Sequence, residues 1–319
     1  MPSLALNPDR LLPSGRTERR IARELYEAVR DLPITSPHGH VPARWLAEDA
    51  AFEDPTSLLL TPDHYVTRLL HAQGVSLADL GVGVDTFSAQ QKRNAFRLLC
   101  AHWKAYRGTA VKTWLEAQLV EVFGVDVAPS AATADEVYDA IAERLNDPTF
   151  RPRALYERFG IDVLATTDDP CDDLRHHRAL LDDPDWRGRV VPTFRPDKYL
   201  EPAAADWNRH VDTLAVSADV DTGTLAGWVA AMVSRRAYFR AHGAVSSDHS
   251  HVDVRMEPME PMEAERLYCA ARKGEITPAE ADALRRHLLF EQARMAADDG
   301  MVMTLHPGVC RDHHSATAQ

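Results

Sequence analysis

The sequence predicts an α/β fold of short parallel strands joined by crossover helices, with a block of helices inserted after the first strand. The order helix, glycine, short apolar strand and polar residues occurs three times. It spans 152–159, Gly160 and Ile161–Asp169, then 224–241, Gly243 and Ala244–His249, then a helix opened by Thr277-Pro278-Ala279-Glu280, Gly300 and Met301–His306. The polar residues gather at the C-terminal ends of the strands, which is where the catalytic face of a (β/α)8 barrel lies. No glycine-rich phosphate loop follows the first strand, which disfavours a doubly wound open sheet. Five strands are found, so the expected fold is α/β, a partial TIM-type (β/α)8 barrel with about five of its eight strands.

The elements follow in order. Residues 17–31 place Ile21, Leu25 and Val29 on one helical face, leading into a strand at about 33–38. Thr61-Pro62-Asp63 reads as a helix start, with a cap residue, a proline at the first helical position and an acid in the first turn. Phe96, Leu99, Cys100, Trp103 and Tyr106 form a stripe over 88–106, and a helix over 110–123 can close at Gly124. Thr133 and Glu136 have capping-box spacing ahead of Val137, Ile141 and Leu145. The expected organisation is 1–40 (helix and first strand), 41–150 (helical insertion) and 151–319 (strands two to five with crossover helices). The sequence stops directly after the fifth strand end, before strands six to eight. The expectation is a C-terminally truncated product or a piece of a longer chain, the alternative being a complete protein with an open five-stranded sheet.

With 319 residues, 45% of them hydrophobic and 26% charged, the composition is that of an ordinary globular protein. The net charge of −12 argues against nonspecific nucleic-acid or anionic-membrane partners, while leaving room for an anionic small molecule held by pocket arginines. Cys100, Cys171, Cys269 and Cys310 are widely spaced and no secretory segment is seen, so reduced thiols and a cytoplasmic location are expected. No apolar run approaches the ~20 residues that cross a bilayer.

The chemistry-bearing residues sit at the strand ends. His38 and His40 form an HxH step, and two imidazoles two residues apart in extended chain point to the same side, where both can bind a divalent metal. Asp168 and Asp169 end the second strand, Arg195 the third, Asp248 and His249 the fourth, and His306 the fifth, with Arg311 beyond. In the insertion, His64, Tyr65 and Arg68 share the first turns of a helix. Each has an ordinary structural role available. The Asp168-Asp169-Pro170 turn can cap a helix, Arg195 can pair with Asp197, His249 and His251 can be loop histidines, and His306 can be a satisfied core histidine. Placement together at one face favours a site.

Several of these segments carry a family resemblance. Pro37-His38-Gly39-His40-Val41-Pro42, Asp63-His64-Tyr65, Ala165-Thr166-Thr167-Asp168-Asp169-Pro170, Pro192-Thr193-Phe194-Arg195-Pro196-Asp197, Ser247-Asp248-His249 and Leu305-His306-Pro307-Gly308 followed by Arg311 resemble the uronate (glucuronate) isomerases of the amidohydrolase-like metal-dependent barrels. The resemblance runs from about residue 20 to 314. It implies aldose–ketose isomerisation of hexuronates, such as D-glucuronate to D-fructuronate and D-galacturonate to D-tagaturonate. It further implies His38 and His40 as ligands of a divalent metal (zinc or similar), and His64, Tyr65, Asp248 and His306 around the reacting atoms. Arg195 and Arg311 would hold anionic or hydroxyl groups of the sugar. The family's third metal ligand, an aspartate at the eighth strand, is not in this sequence, so the expected metal site is incomplete. A small-molecule hexuronate is the expected partner, homo-oligomerisation is allowed, and neither nucleic acid nor membrane is expected. The alternatives are an inactive remnant or fragment needing a complementing chain, and a metal-dependent hydrolase of the same superfamily, against which Arg195 stands where a metal ligand would be needed.

Overall fold

A computed structural model describes residues 4–307, so Cys310 and Arg311 lie outside the described residues. The chain divides into two compact units, one of residues 4–33 and 49–160, the other of 34–48 and 161–307. Residues 4–33 thus group with the helical unit, and 34–48 with the strands, in place of the expected breaks at 40 and 150.

The first unit is helical. Its helices are Arg16–Val29, Pro55–Leu59, His64–His71, Ala89–Ala101, Ala110–Ala117, Ala134–Leu145 and Pro152–Arg158. Leu60, Val66, Leu70, Phe96, Leu99, Cys100, Tyr106, Val137 and Ile141 fill its core, so four residues of the predicted stripe are buried while Trp103, in the short 3-10 turn after the helix ends at Ala101, is half-buried. Two local readings are corrected. Asp63 caps the helix His64–His71 by accepting from the Tyr65 N–H, which leaves Pro62 outside it, and the Thr61 hydroxyl donates to the Leu80 carbonyl instead. Thr133 makes no capping box: its backbone (φ −110°, ψ 0°) is not in the extended cap conformation, and its hydroxyl is turned back to donate to the Ala128 carbonyl. Ile21, Leu25 and Val29 share a face of Arg16–Val29, but that helix buries no residue.

The second unit is α/β. Its strands are β1 (Ile34–Ser36), β2 (Ile161–Ala165), β3 (Arg189–Val191), β4 (Ser246–His249) and β5 (Val302–Leu305). All pairings are parallel: Thr35 lies opposite Val163, Leu164 opposite Val190, and Asp248 opposite Thr304. Phe194 joins the β1-β2-β3 and β4-β5 sheets by parallel bridges to Asp168 and Ser247. Helices Arg175–Asp182, Trp207–Ala218, Leu225–Ala241, Pro261–Lys273 and Pro278–Asp299 lie between the strands in sequence. Positive φ at Gly160, Gly243 and Gly300 lets the chain leave each helix and enter the next strand. Trp207, Trp228, Met232, Phe239, Leu284 and Leu288 form the core, with Phe194 at its strand side. Among the described residues no helix is long and apolar enough to cross a membrane, and Cys100, Cys171 and Cys269 are free.

A buried parallel strand ordinarily reads as a run of Val, Ile and Leu. β4 instead reads Ser-Ser-Asp-His, and all four residues are buried. Burying four polar side chains in a row costs free energy unless each is satisfied, so β4 is where this unit departs from packing logic.

Candidate active site at the strand ends

The strand ends bring His38, His40, Arg195, Asp248 and His306 together around one carboxylate. Asp248 has no exposed surface. Its Oδ1 lies 2.9 Å from His306 Nδ1 and accepts from the Thr304 hydroxyl at 3.1 Å. Its Oδ2 faces Arg195 Nη1 at 3.3 Å and His38 Nδ1 at 3.8 Å, but accepts no hydrogen bond of good geometry. The parallel register explains the convergence, since Asp248 sits opposite Thr304 and one residue before the His249 carbonyl that accepts the His306 N–H at 2.7 Å.

The His38 and His40 Nε2 atoms are 3.2 Å apart, and the His38 ring meets those of His40 and His306 edge-on, each at 5.0 Å. Two ligands 2.0–2.1 Å from a tetrahedral zinc are about 3.3 Å from each other, so the HxH step has the spacing of one edge of a metal site. The donor chemistry and the incompletely bonded Oδ2 of Asp248 fit a divalent cation, and His38, Asp248 and His306 form a group whose ligand atoms lie within 4.8 Å of one another. Burial, reinforced by His38 and Arg195, holds His40 below its ordinary pKa and keeps its lone pair available. The step is held in place by the Thr167 hydroxyl, which donates to the Gly39 carbonyl at 2.8 Å. A side chain at Gly39 would bring its Cβ to 2.9 Å from the Ala165 carbonyl oxygen, so glycine is required here for close backbone approach.

Arg195 takes the pairing role open to it in the sequence and extends it to a second carboxylate. Its Nε donates to Asp197 Oδ2 at 2.9 Å while Nη1 reaches Asp248. It also lines a cleft of about 840 Å³ together with Lys198, Glu201 and Arg285.

The Thr166–Asp169 turn is split between two tasks. Asp169 caps the turn through the Cys171 N–H and pairs with Lys198 at 2.6 Å. Asp168 is largely buried: the Thr166 hydroxyl donates to it at 2.6 Å, and His177 Nε2 lies 2.9 Å from that same hydroxyl. Burial pushes the Asp168 carboxyl up to about 6 and the His177 imidazole down to about 4.

His249 and His251, open to reading as loop histidines in the sequence, are both buried. Burial pushes the His249 imidazole down to about 3. His249 is marked in the sequence by its place at the fourth strand end, and His251 by the dense run Ser246-Ser247-Asp248-His249-Ser250-His251. His64 and Tyr65 belong to the helical unit, on the first turn of His64–His71, where Tyr65 is 42% exposed, meets Trp114 edge-on at 6.0 Å and carries the Arg68 guanidinium over its ring.

Fold and site together define an α/β protein whose parallel strands end in a cluster of imidazole, carboxylate and guanidinium groups with metal-binding capacity. Comparison with known proteins gives the particular family. The glucuronate isomerase family model matches residues 16–319. A uronate isomerase of Cutibacterium acnes is 53% identical over 99% of this chain and 67% of its own length. One of Rhizorhabdus wittichii is 45% identical over 98% of this chain and 66% of its own. The crystal structure of glucuronate isomerase from Caulobacter crescentus superposes with a TM-score of 0.93 at 39% identity, covering 98% of this chain and 65% of that one. The chain belongs to the uronate (glucuronate) isomerase family, and it spans about two thirds of the length of these relatives.

Proposed function

We propose that this chain carries hexuronate isomerase chemistry, aldose–ketose interconversion of D-glucuronate and D-fructuronate or of D-galacturonate and D-tagaturonate, on the strand ends of a partial (β/α)8-type barrel. The reading rests on one observation above all, that residues from β1, β3, β4 and β5 or just beyond them meet at the buried carboxylate of Asp248.

The reaction moves a hydrogen between C2 and C1 of the sugar and a matching proton between its oxygens. Asp248 is the candidate base, held in one orientation by Thr304, His306 and Arg195 so that little reorganisation accompanies proton transfer. His306 is the proton carrier nearest to it. Arg195 binds the sugar carboxylate or a hydroxyl pair through its guanidinium fork, and Arg311 is assigned the same kind of contact by family resemblance. His64 and Tyr65 are assigned to the reacting oxygens on the same ground. His38 and His40 would hold a divalent cation such as zinc, which when bound polarises sugar oxygens as a Lewis acid. The cleft beside Arg195 offers ample volume for a hexuronate.

The test is a coupled assay of the purified, monodisperse chain with D-glucuronate and D-galacturonate. Conversion of either sugar, lost in Asp248→Asn, supports the assignment. Failure to convert any hexuronate with Zn²⁺ or Mn²⁺ added overturns it.

A further inference from the structure

β4 and the turn after it deliver a second pair of imidazoles that the isomerase reading leaves unused. His249 and His251 are 0% and 2% exposed, and with Asp197 they form a group whose ligand atoms lie within 4.8 Å of one another. His251 Nδ1 lies 2.6 Å from Glu201 Oε1, a charge-assisted hydrogen bond that fixes the ring proton on Nδ1. Its Nε2 lone pair is then left buried, without a hydrogen-bond partner, 3.5 Å from Asp197 Oδ1. A lone pair facing a carboxylate oxygen at that distance is repulsive unless a positive centre lies between them. On His249, Nε2 lies 3.2 Å from the Ser247 hydroxyl, while Nδ1 is buried and without a partner.

Orphaned buried nitrogens are rare in native proteins, and each calls for an ordered water or an ion. A carboxylate hydrogen-bonded to the far nitrogen of an imidazole is also how metal-ligating histidines are oriented. The competing reading, His251 doubly protonated between Glu201 and Asp197, fits less well. Its second contact, at 3.5 Å, is well beyond the ~2.7–2.9 Å of a charged N–H···O bond, and it leaves His249 Nδ1 unexplained. Asp197 can serve a cation through Oδ1, which accepts the Ser250 N–H at 3.0 Å, while Oδ2 stays with Arg195.

We propose that Asp197, His249 and His251, with Glu201 orienting His251, form a second divalent-cation site, separate from the one on His38 and His40. Two imidazoles and one carboxylate are the donor set of a borderline ion of the Zn²⁺ class. Because Arg195 hydrogen-bonds Asp197 and also faces Asp248, a cation here would also fix the guanidinium beside the first cluster.

The test is Zn²⁺ titration of the chelator-stripped chain by calorimetry, with Co²⁺ absorption as a second readout. The expected stoichiometry is two ions per chain in the parent, one in His251→Gln and one in His38→Gln. The Co²⁺ ligand-field band of the second site should persist in His38→Gln and vanish in His251→Gln. Far-UV circular dichroism and the metal-free melting temperature check folding, and if His251→Gln does not fold, Asp197→Asn is read in its place. A parent that binds one ion, with His251→Gln unchanged, overturns the proposal and assigns the orphaned nitrogens to water; so does a His38→Gln chain that binds none. None of these readouts depends on isomerase turnover.

Discussion

Asp168 and His177 should together add almost nothing to the pH dependence of stability between about 4 and 6, although each alone would add a strong one. Both groups flank the Thr166 hydroxyl, and burial is the first cause of both shifts, so neither shift requires the other group. His177 falls from 6.5 to about 4. Its contribution is present above 6.5 and is lost as pH falls through that window, because the unfolded chain takes up a proton that the folded one refuses. Asp168 rises from 3.8 to about 6, so its contribution is present below 3.8 and is lost as pH rises through 6. At about 1.4 kcal/mol per pH unit, each term is worth about 3 kcal/mol, with opposite signs. In the intervening range the unfolded pair holds its single proton on histidine and the folded pair holds it on aspartate, so proton uptake cancels.

His177→Gln removes one term while keeping an amide near Thr166. Relative to the parent it should gain about 3 kcal/mol as pH falls from 7 to 4. Asp168→Asn should lose about 3 kcal/mol over the same range, and the double variant should track the parent. Urea unfolding followed by tryptophan fluorescence at half-unit pH intervals reads all four chains. Parallel profiles for both single variants and the parent would refute the reasoning.

Three further outcomes are expected. Asp248→Asn keeps the shape of the side chain but removes the charge that Arg195 and His306 face, and should lower hexuronate turnover by at least ~10²-fold in the coupled assay, as loss of a general base does. Gly39→Ala forces its Cβ against the Ala165 carbonyl and should cost about 1–3 kcal/mol in urea unfolding while weakening Zn²⁺ binding at His38 and His40; unchanged values for both would show that the strand end can yield. Asp299→Ala strips the counter-ion from Arg236, which is 1% exposed and is left with a 3.3 Å bond to Gln292 and the Phe194 ring face, and should destabilise the chain by about 3–5 kcal/mol, read as a drop in urea midpoint at constant m.

Local signals survive into the structure where they are themselves local. The capping box at Thr277 and Glu280 forms as its spacing requires, and the helix it opens runs to Asp299 before Gly300 turns the chain into β5. The spacing at Thr133 and Glu136 is equally suggestive, yet the turn ahead of the helix holds Thr133 at φ −110° and ψ 0°, outside the extended cap conformation, with its hydroxyl turned back to Ala128. The face of Ile21, Leu25 and Val29 has the right period but buries nothing, since periodicity specifies a face and not its partner.

The sequence by itself determined the alternation of helix and strand, the parallel character of the pairing and the polar chemistry of each strand end, because these follow from patterns a few residues long. Only the tertiary structure decided that Asp248 is the carboxylate on which β1, β3 and β5 converge, since that depends on strand register between residues up to some two hundred positions apart. It also decided that His249 and His251 lie buried with orphaned nitrogens, where a sequence reader finds two histidines in a polar run. Desolvation separates the two cases: it shifts proton affinities and leaves polar atoms in need of partners, and it exists only once distant segments have closed over a side chain.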